Sequence, residues 1–149
     1  MTRIEPSLLL TGFEPFGGEL DNPAMALLPH FSQRRILGHR VETELLPVSF
    51  AGALAALDAA LQRTTPRLVL GIGQAGGRAR LSLERVALNL IDARMPDNEG
   101  AQPVDAAVIP GAPAAHFSTL PLKAVHAALQ AQGVPAELSL SAGSYVCNA

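Results

Sequence analysis

The amino-acid sequence predicts an α/β fold, a three-layer sandwich in which helices cover both faces of a central, largely parallel twisted sheet. Short apolar segments, such as residues 8–10 and 68–70, alternate with segments whose leucines lie at helical spacing. Glycine-containing loops follow Leu10, Leu70 and Leu140. Because the carboxyl ends of parallel strands share one edge of a sheet, we expect these three loops to converge on a site.

The first half of the chain predicts strands and helices in alternation. Residues 8–10 form a short buried strand, and Asn22 with Pro23 supplies an N-cap and a first-turn proline for a helix. Val41, Thr43 and Leu45 alternate with two glutamates, which predicts a strand with one exposed face. Leucines three and four residues apart then predict a second helix, which ends before Pro66.

The second half is less regular. Residues 81–91 fit either a strand or a helix, and we favour a strand because a long loop precedes them and turn-rich sequence follows. Proline, glycine and aspartate are dense from 94 to 113, which predicts a loop or lid. Ser118 or Thr119 is expected to cap a helix that ends at Gly133. The residues of that helix expected to face inward are Leu122, Val125 and Leu129.

Composition predicts one soluble domain over residues 1–149, with 48% hydrophobic residues, 16% charged residues and a net charge of −2. A single lysine argues against a nucleic-acid partner. No apolar run reaches the ~18 residues of a membrane span, and the N-terminal leucine run is too short for a signal peptide. One cysteine cannot form an internal disulfide, so a cytoplasmic location is expected.

The glycines at positions 71, 73 and 76 satisfy the spacing of a dinucleotide-binding loop, with Asp92 roughly 20 residues further on. That loop normally follows the first strand of its unit, whereas here a strand, a helix and a second strand come before it. A tight turn is therefore favoured over a cofactor role. The four histidines are not spaced as metal ligands, so neither a cofactor nor a metal is expected.

Two residues are candidates for catalysis. Cys147 follows a predicted strand at 134–140 and a turn at 141–144, where a helix start would lower a thiol pKa. Glu84 lies among apolar neighbours of a predicted strand and therefore needs a partner. That partner is either an arginine, at position 78 or 80, or a catalytic imidazole that the carboxylate orients. The residues alone leave a structural role open for both.

Five motifs in order resemble the pyrrolidone-carboxylate peptidases, the pyroglutamyl peptidase I type of cysteine peptidase, over nearly the whole chain. They are LTGFEPFGG at 10–18 with Asn22-Pro23, GQAGGR at 73–78, ERVALN at 84–89, DARMPDNEG at 92–100 with Gln102-Pro103, and GSYVCN at 143–148. The resemblance implies an α/β/α sandwich and a thiol protease that removes an N-terminal pyroglutamyl group from peptides. It also implies a homo-oligomer, which is often a tetramer in this family.

The resemblance assigns roles residue by residue. Cys147 matches the nucleophile and Glu84 the carboxylate that orients the catalytic histidine. The residues that match substrate-pocket positions are Phe13, Phe16, Gln74, Arg94, Met95, Tyr145 and Val146. A flat, uncharged pyroglutamyl ring suits an aromatic pocket that has few hydrogen-bonding groups.

One departure limits what the resemblance implies. The family's histidine lies downstream of the nucleophile, whereas only Asn148 and Ala149 follow Cys147 here. We therefore expect an incomplete peptidase domain that lacks its C-terminal elements and has weak or no activity, because a thiol without a base is a poor nucleophile. The alternative is a non-catalytic module that binds pyroglutamyl peptides.

Overall fold

The computed structural model describes residues 6–149, which form eight strands and three helices in α/β order. The strands are β1 (Ser7–Phe13), β2 (Arg35–Ile36), β3 (His39–Leu46), β4 (Leu68–Gly71), β5 (Leu81–Glu84), β6 (Val86–Leu88), β7 (Ala115–Phe117) and β8 (Ala136–Ser139). The helices are α1 (Pro23–Phe31), α2 (Phe50–Thr64) and α3 (Leu122–Ala131). Within residues 6–149, no helix has the length and apolar character needed to span a bilayer.

The chain divides into two compact units, so the single domain inferred from composition stays a prediction. The first unit contains the chain up to Gln74 together with Asp97–Ala101. The second contains Ala75–Pro96 and Gln102–Ala149. The start of the chain, considered above for a signal peptide, includes residues 1–5, which lie outside the described range.

A four-stranded sheet in the order β2-β3-β1-β4 forms the centre of the first unit. β1 runs parallel to both β3 and β4, and β2 is antiparallel to β3. Leu10, Leu28 and Val41 form a buried cluster where α1 packs against β1 and β3. Leu9 is fully buried, and strand alternation directs its side chain to the opposite face from Leu10. The sheet is therefore covered on both faces.

The predicted start of α1 is confirmed. Asn22 is buried, and its Oδ1 accepts the Ala24 N–H at 2.9 Å, with Pro23 in the first turn. Gly12 in β1 lies directly beneath this turn, and a Cβ there would approach the Ala24 carbonyl oxygen to 2.7 Å. The close approach of the strand and the helix therefore requires glycine at position 12.

The second unit contains two separate two-stranded sheets. β5 pairs with β8 in parallel, and β6 pairs with β7 antiparallel. The strand prediction for 81–91 is confirmed for Leu81–Glu84 and Val86–Leu88, with an interruption at Arg85. The Arg85 N–H donates to Ser139 O and its carbonyl accepts from the Ser118 N–H, both at 2.8 Å. The chain thus passes from one pairing partner to another, so residues 82–90 do not form one continuous strand face.

The prediction for α3 is corrected at its start and on its face. Pro121 occupies the N-cap position without a side-chain hydrogen bond, and Ser118 Oγ accepts from the Leu120 N–H instead. Val125 is 38% exposed, so its predicted inward position is wrong, while Leu122 and Leu129 are half-buried. α3 packs chiefly against β8, and a single strand covers only a narrow stripe of a helix.

Candidate active site

The nucleophile candidate lies in a turn that follows β8. The Asn148 N–H donates to Tyr145 O at 3.0 Å, and the Ala149 N–H donates to Val146 O at 3.2 Å. Residues 146–148 therefore form a hydrogen-bonded turn. The half-buried thiol forms no disulfide.

Burial raises the pKa of the Cys147 thiol above its ordinary value of 9.0, and a backbone N–H opposes this only in part. The expectation that a helix start lowers this pKa is therefore wrong for this structure. Loss of water around a thiolate outweighs the single N–H that stabilises it. The thiol is neutral at pH 7, which makes it a weak nucleophile without an added base.

Two neighbours hold the Cys147 turn in place. Asn148 is buried, and its side-chain amide donates to Leu88 O at 2.8 Å and accepts from the Leu88 N–H at 2.9 Å. Ser144 Oγ donates to Asp92 O, and the Asp92 N–H donates to Ser144 O, both at 3.0 Å. These side chains bond to backbone groups more than fifty residues away, so sequence reasoning missed their role.

Glu84 ends β5 and is paired in register with Ser139, the last residue of β8. This register brings the carboxylate to the strand end from which the chain continues to Cys147. Arg78 Nη1 donates to Glu84 Oε1 at 2.8 Å, and Arg78 Nη2 donates to Ser141 O at 3.3 Å. Of the two arginines considered from the sequence, Arg78 is therefore the partner.

The second oxygen of the same carboxylate is different. Glu84 Oε2 is buried and has no hydrogen-bond partner among the described residues. A buried acceptor without a donor costs free energy, so this oxygen is placed to receive a further N–H or O–H group.

Four other site candidates lie in the second unit, two directly before Cys147 and two in the segment that follows Ala93. Tyr145 donates its hydroxyl to Pro96 O at 2.9 Å. Val146 is 1% exposed and packs in the interior. Met95 is half-buried, and Arg94 is exposed. Their roles in lining a substrate pocket stay predictions.

The candidates of the first unit follow β1 and β4. Phe13 ends β1 and is buried, Phe16 is half-buried in the loop that follows, and Gln74 is half-buried after β4. The glycine loop at 71–76 continues into a turn and then β5, without the helix whose N-terminus would hold a pyrophosphate. That arrangement argues against the dinucleotide reading of the spacing.

Two of the four histidines contact backbone carbonyl oxygens. His126 Nε2 lies 3.0 Å from Ala136 O, and His39 Nδ1 lies 3.0 Å from Leu37 O. His30 is in the last turn of α1, and His116 is in β7. Within residues 6–149, no cluster of three or more histidine, cysteine, aspartate or glutamate side chains could hold a metal ion.

A thiol after one strand and a carboxylate at the end of the paired strand are groups of the kind that cysteine hydrolases use. The chain belongs to the pyroglutamyl peptidase family, whose model matches residues 6–149.

Relatives of known sequence agree with this assignment. The pyrrolidone-carboxylate peptidase of Gloeobacter violaceus is 55% identical over 141 residues, which cover 95% of this chain and 69% of that protein. The pyrrolidone-carboxylate peptidase of Klebsiella pneumoniae is 51% identical over 141 residues, covering 95% of this chain and 66% of that protein. The chain thus spans about two thirds of the length of these relatives.

Solved structures confirm the fold class. The pyroglutamyl peptidase I of Bacillus amyloliquefaciens superposes with a TM-score of 0.92 at 41% identity, over 97% of this chain and 70% of that one. The pyrrolidone carboxyl peptidase of Thermococcus litoralis gives a TM-score of 0.94 at 40% identity, over 96% of this chain and 65% of that one.

Proposed function

We propose that this chain carries the nucleophile and the substrate pocket of a cysteine exopeptidase that removes N-terminal pyroglutamyl groups from peptides. Cys147 Sγ, as the thiolate, attacks the pyroglutamyl carbonyl carbon. The bond from that carbon to the next residue's nitrogen breaks, and the amine leaves with a proton from water, which balances the proton that the thiol released to water when it became a thiolate. Water then hydrolyses the thioester, which releases pyroglutamate and restores the thiol.

The observation that carries this proposal is the hydrogen bonding of the two carboxylate oxygens of Glu84. One carboxylate oxygen is fixed by Arg78, and the other is buried without a partner at the strand end that leads to Cys147. A carboxylate held in this way can accept the N–H of an imidazole and hold its ring in one orientation. This is the role that the family resemblance gives to Glu84.

Turnover by the 149-residue chain is expected to be weak. Burial raises the pKa of the Cys147 thiol, and no hydrogen bond within residues 6–149 joins a histidine to it. The thiolate population at neutral pH is therefore small. Binding of the pyroglutamyl ring depends on other groups, among them Phe16 and Gln74, and need not be lost.

The test is hydrolysis of a pyroglutamyl-anilide by this chain, with Cys147→Ala as the control that removes the nucleophile. We expect slow release of the anilide that rises with pH and is abolished in Cys147→Ala. A prolyl-anilide, which lacks the ring carbonyl, should not be cleaved. The proposal would be refuted if the chain neither bound nor hydrolysed the pyroglutamyl compound.

A second candidate is a module that binds pyroglutamyl peptides without cleaving them, which the neutral thiol favours. Titration calorimetry of a pyroglutamyl dipeptide amide, compared with the matching prolyl compound, separates the two. Selective binding with no cleavage above the Cys147→Ala background would support the module, and cleavage would exclude it. Sedimentation of the same sample measures whether the chain is the homo-oligomer, a tetramer in the family, that the resemblance implies.

A further inference from the structure

The loop that carries Phe16 begins at Glu14, and Glu14 is hydrogen-bonded through both its backbone and its side chain. Its N–H donates to Leu46 O at 3.1 Å, and its carbonyl accepts from Asn22 Nδ2 at 3.1 Å. Its side-chain Oε1 accepts from the Val48 N–H at 3.1 Å and from Asn98 Nδ2 at 2.9 Å. Four hydrogen bonds thus fix the first residue of the loop.

Asn98 is the member of this group that comes from a distant part of the sequence. Its Nδ2 donates to Glu14 Oε1 and also to Pro15 O, both at 2.9 Å. Both partners are acceptors, so the amide nitrogen must face them and the side chain has a single workable orientation. The Asn98 N–H donates to Val48 O at 2.9 Å, which places its backbone beside the same junction.

The segment that presents Asn98 is itself rigidly anchored. Asp97 is buried, and its Oδ2 accepts from the Phe50 N–H at the start of α2 at 2.9 Å. Its Oδ1 accepts from the N–H groups of Glu99 at 3.0 Å and Ala101 at 2.9 Å. A side chain on so constrained a turn can hold its partner in place, rather than following it.

We infer that Asn98 is a positioning residue for pyroglutamyl recognition, because its side chain fixes the loop in which Phe16 is presented to the substrate. The inference rests on the proposed function, in which Phe13 and Phe16 pack against the lactam ring. Asn98 touches the loop backbone at Pro15, one residue before Phe16. Its loss should therefore widen the range of positions that the Phe16 ring samples, without affecting the thiol.

The sharpest variant is Asn98→Asp, which keeps the shape and places carboxylate oxygens against Glu14 Oε1 and Pro15 O. Asn98 is exposed, so neither this variant nor Asn98→Ala should unfold the chain. Glu14→Gln keeps the Oε1 acceptor and is the conservative variant that should retain function. Glu99→Gln, an exposed neighbour on the same turn, is the matched control.

Two measurements test the inference together. Calorimetry with a pyroglutamyl dipeptide amide should show about ten-fold weaker binding for Asn98→Asp, a smaller loss for Asn98→Ala, and wild-type binding for Glu14→Gln and Glu99→Gln. Hydrogen–deuterium exchange should be faster in residues 14–21 of Asn98→Asp and unchanged in β1. Alkylation of Cys147 should proceed at the wild-type rate in all four variants.

The outcomes separate this inference from the proposed function. Unchanged binding in Asn98→Asp, with a wild-type chain that binds, overturns the positioning role alone. If the wild-type chain does not bind, the recognition role falls together with the proposed function. In that case hydrogen–deuterium exchange still tests whether Asn98 holds the loop. Unchanged exchange in residues 14–21 of Asn98→Asp would show that it does not.

Discussion

The two compact units of the chain are stabilised by different means. Among residues 6–149, eleven of the fifteen buried hydrophobic residues lie in the first unit and four in the second. The second unit relies more on side-chain hydrogen bonds to the backbone, such as those of Asn89 and Asn148. Because apolar burial is the main source of folding free energy, the first unit should hold most of the stability.

One substitution in each unit tests most directly whether the first unit holds most of the stability. Leu9→Ala removes a fully buried side chain between sheet and helix, and should lower the free energy of unfolding by about 2–5 kcal/mol. Leu129→Ala removes a half-buried side chain from α3 and should cost about 1 kcal/mol or less. Urea denaturation followed by circular dichroism measures both. Equal losses would show that the core of the second unit contributes as much to the free energy of unfolding as that of the first.

The predictability of the fold differs between the units for the same reason. Asn22-Pro23 and the alternation over 41–45 are local signals, and the structure has the start of α1 and the strand β3 at these places. The predicted exposed face of β3 is wrong, because Leu45 is 44% exposed while Glu42 and Glu44 are half-buried. In the second unit, β7 forms only because it pairs with β6, and nothing in its three residues predicts a strand. The prediction for Val125, which is exposed, failed because helical spacing alone does not say which face of a helix is covered by a neighbour.

The candidate site shows the same limit. The position of Cys147 after a strand and a turn could be predicted, because strand and turn signals are local. The direction of its pKa shift could not, because burial depends on residues distant in sequence. Asn148, Asp97 and Asn98 were missed because their partners lie dozens of residues away along the chain.

Two buried asparagines, one in each unit, allow the effect of a lost side-chain hydrogen bond to be compared between the units. Asn148→Ala removes the hydrogen bonds that tie the nucleophile turn to Leu88 and should cost about 1–3 kcal/mol. It should also speed alkylation of Cys147 by iodoacetamide several-fold, because the turn opens. Asn22→Ala should cost a similar amount through loss of the α1 cap but leave the alkylation rate unchanged. A faster reaction in both variants would mean that the two units open together.

The thiol of the second unit supplies a prediction about pH. Since burial raises the pKa of Cys147, the rate of alkylation should reach its midpoint above pH 9.0 in the folded chain. The unfolded chain in urea should reach it near the ordinary value. Folding stability should likewise fall as the pH rises past 9, because the unfolded state then loses its thiol proton more readily. Cys147→Ala removes this dependence, and a midpoint below 9 would contradict the burial argument.

Asp97 in the first unit shifts in the opposite direction, although it too is buried. Burial alone would raise the pKa of its carboxyl, but N–H groups of Phe50, Ala101, Glu99 and Gly100 outweigh this and hold the pKa below 3.8. Its contribution to stability is therefore present above pH 3.8 and is lost as the pH falls through the lower, folded-state pKa. Asp97→Asn should flatten the stability curve in that acid range and leave the alkaline fall caused by Cys147 intact. An amide has one oxygen, so the variant also loses either the hydrogen bond from the Phe50 N–H or those from the Glu99 and Ala101 N–H groups. That loss lowers the stability at every pH and does not change the slope in the acid range. An unchanged acid limb in Asp97→Asn would show that backbone donors do not set the charge state of this carboxyl.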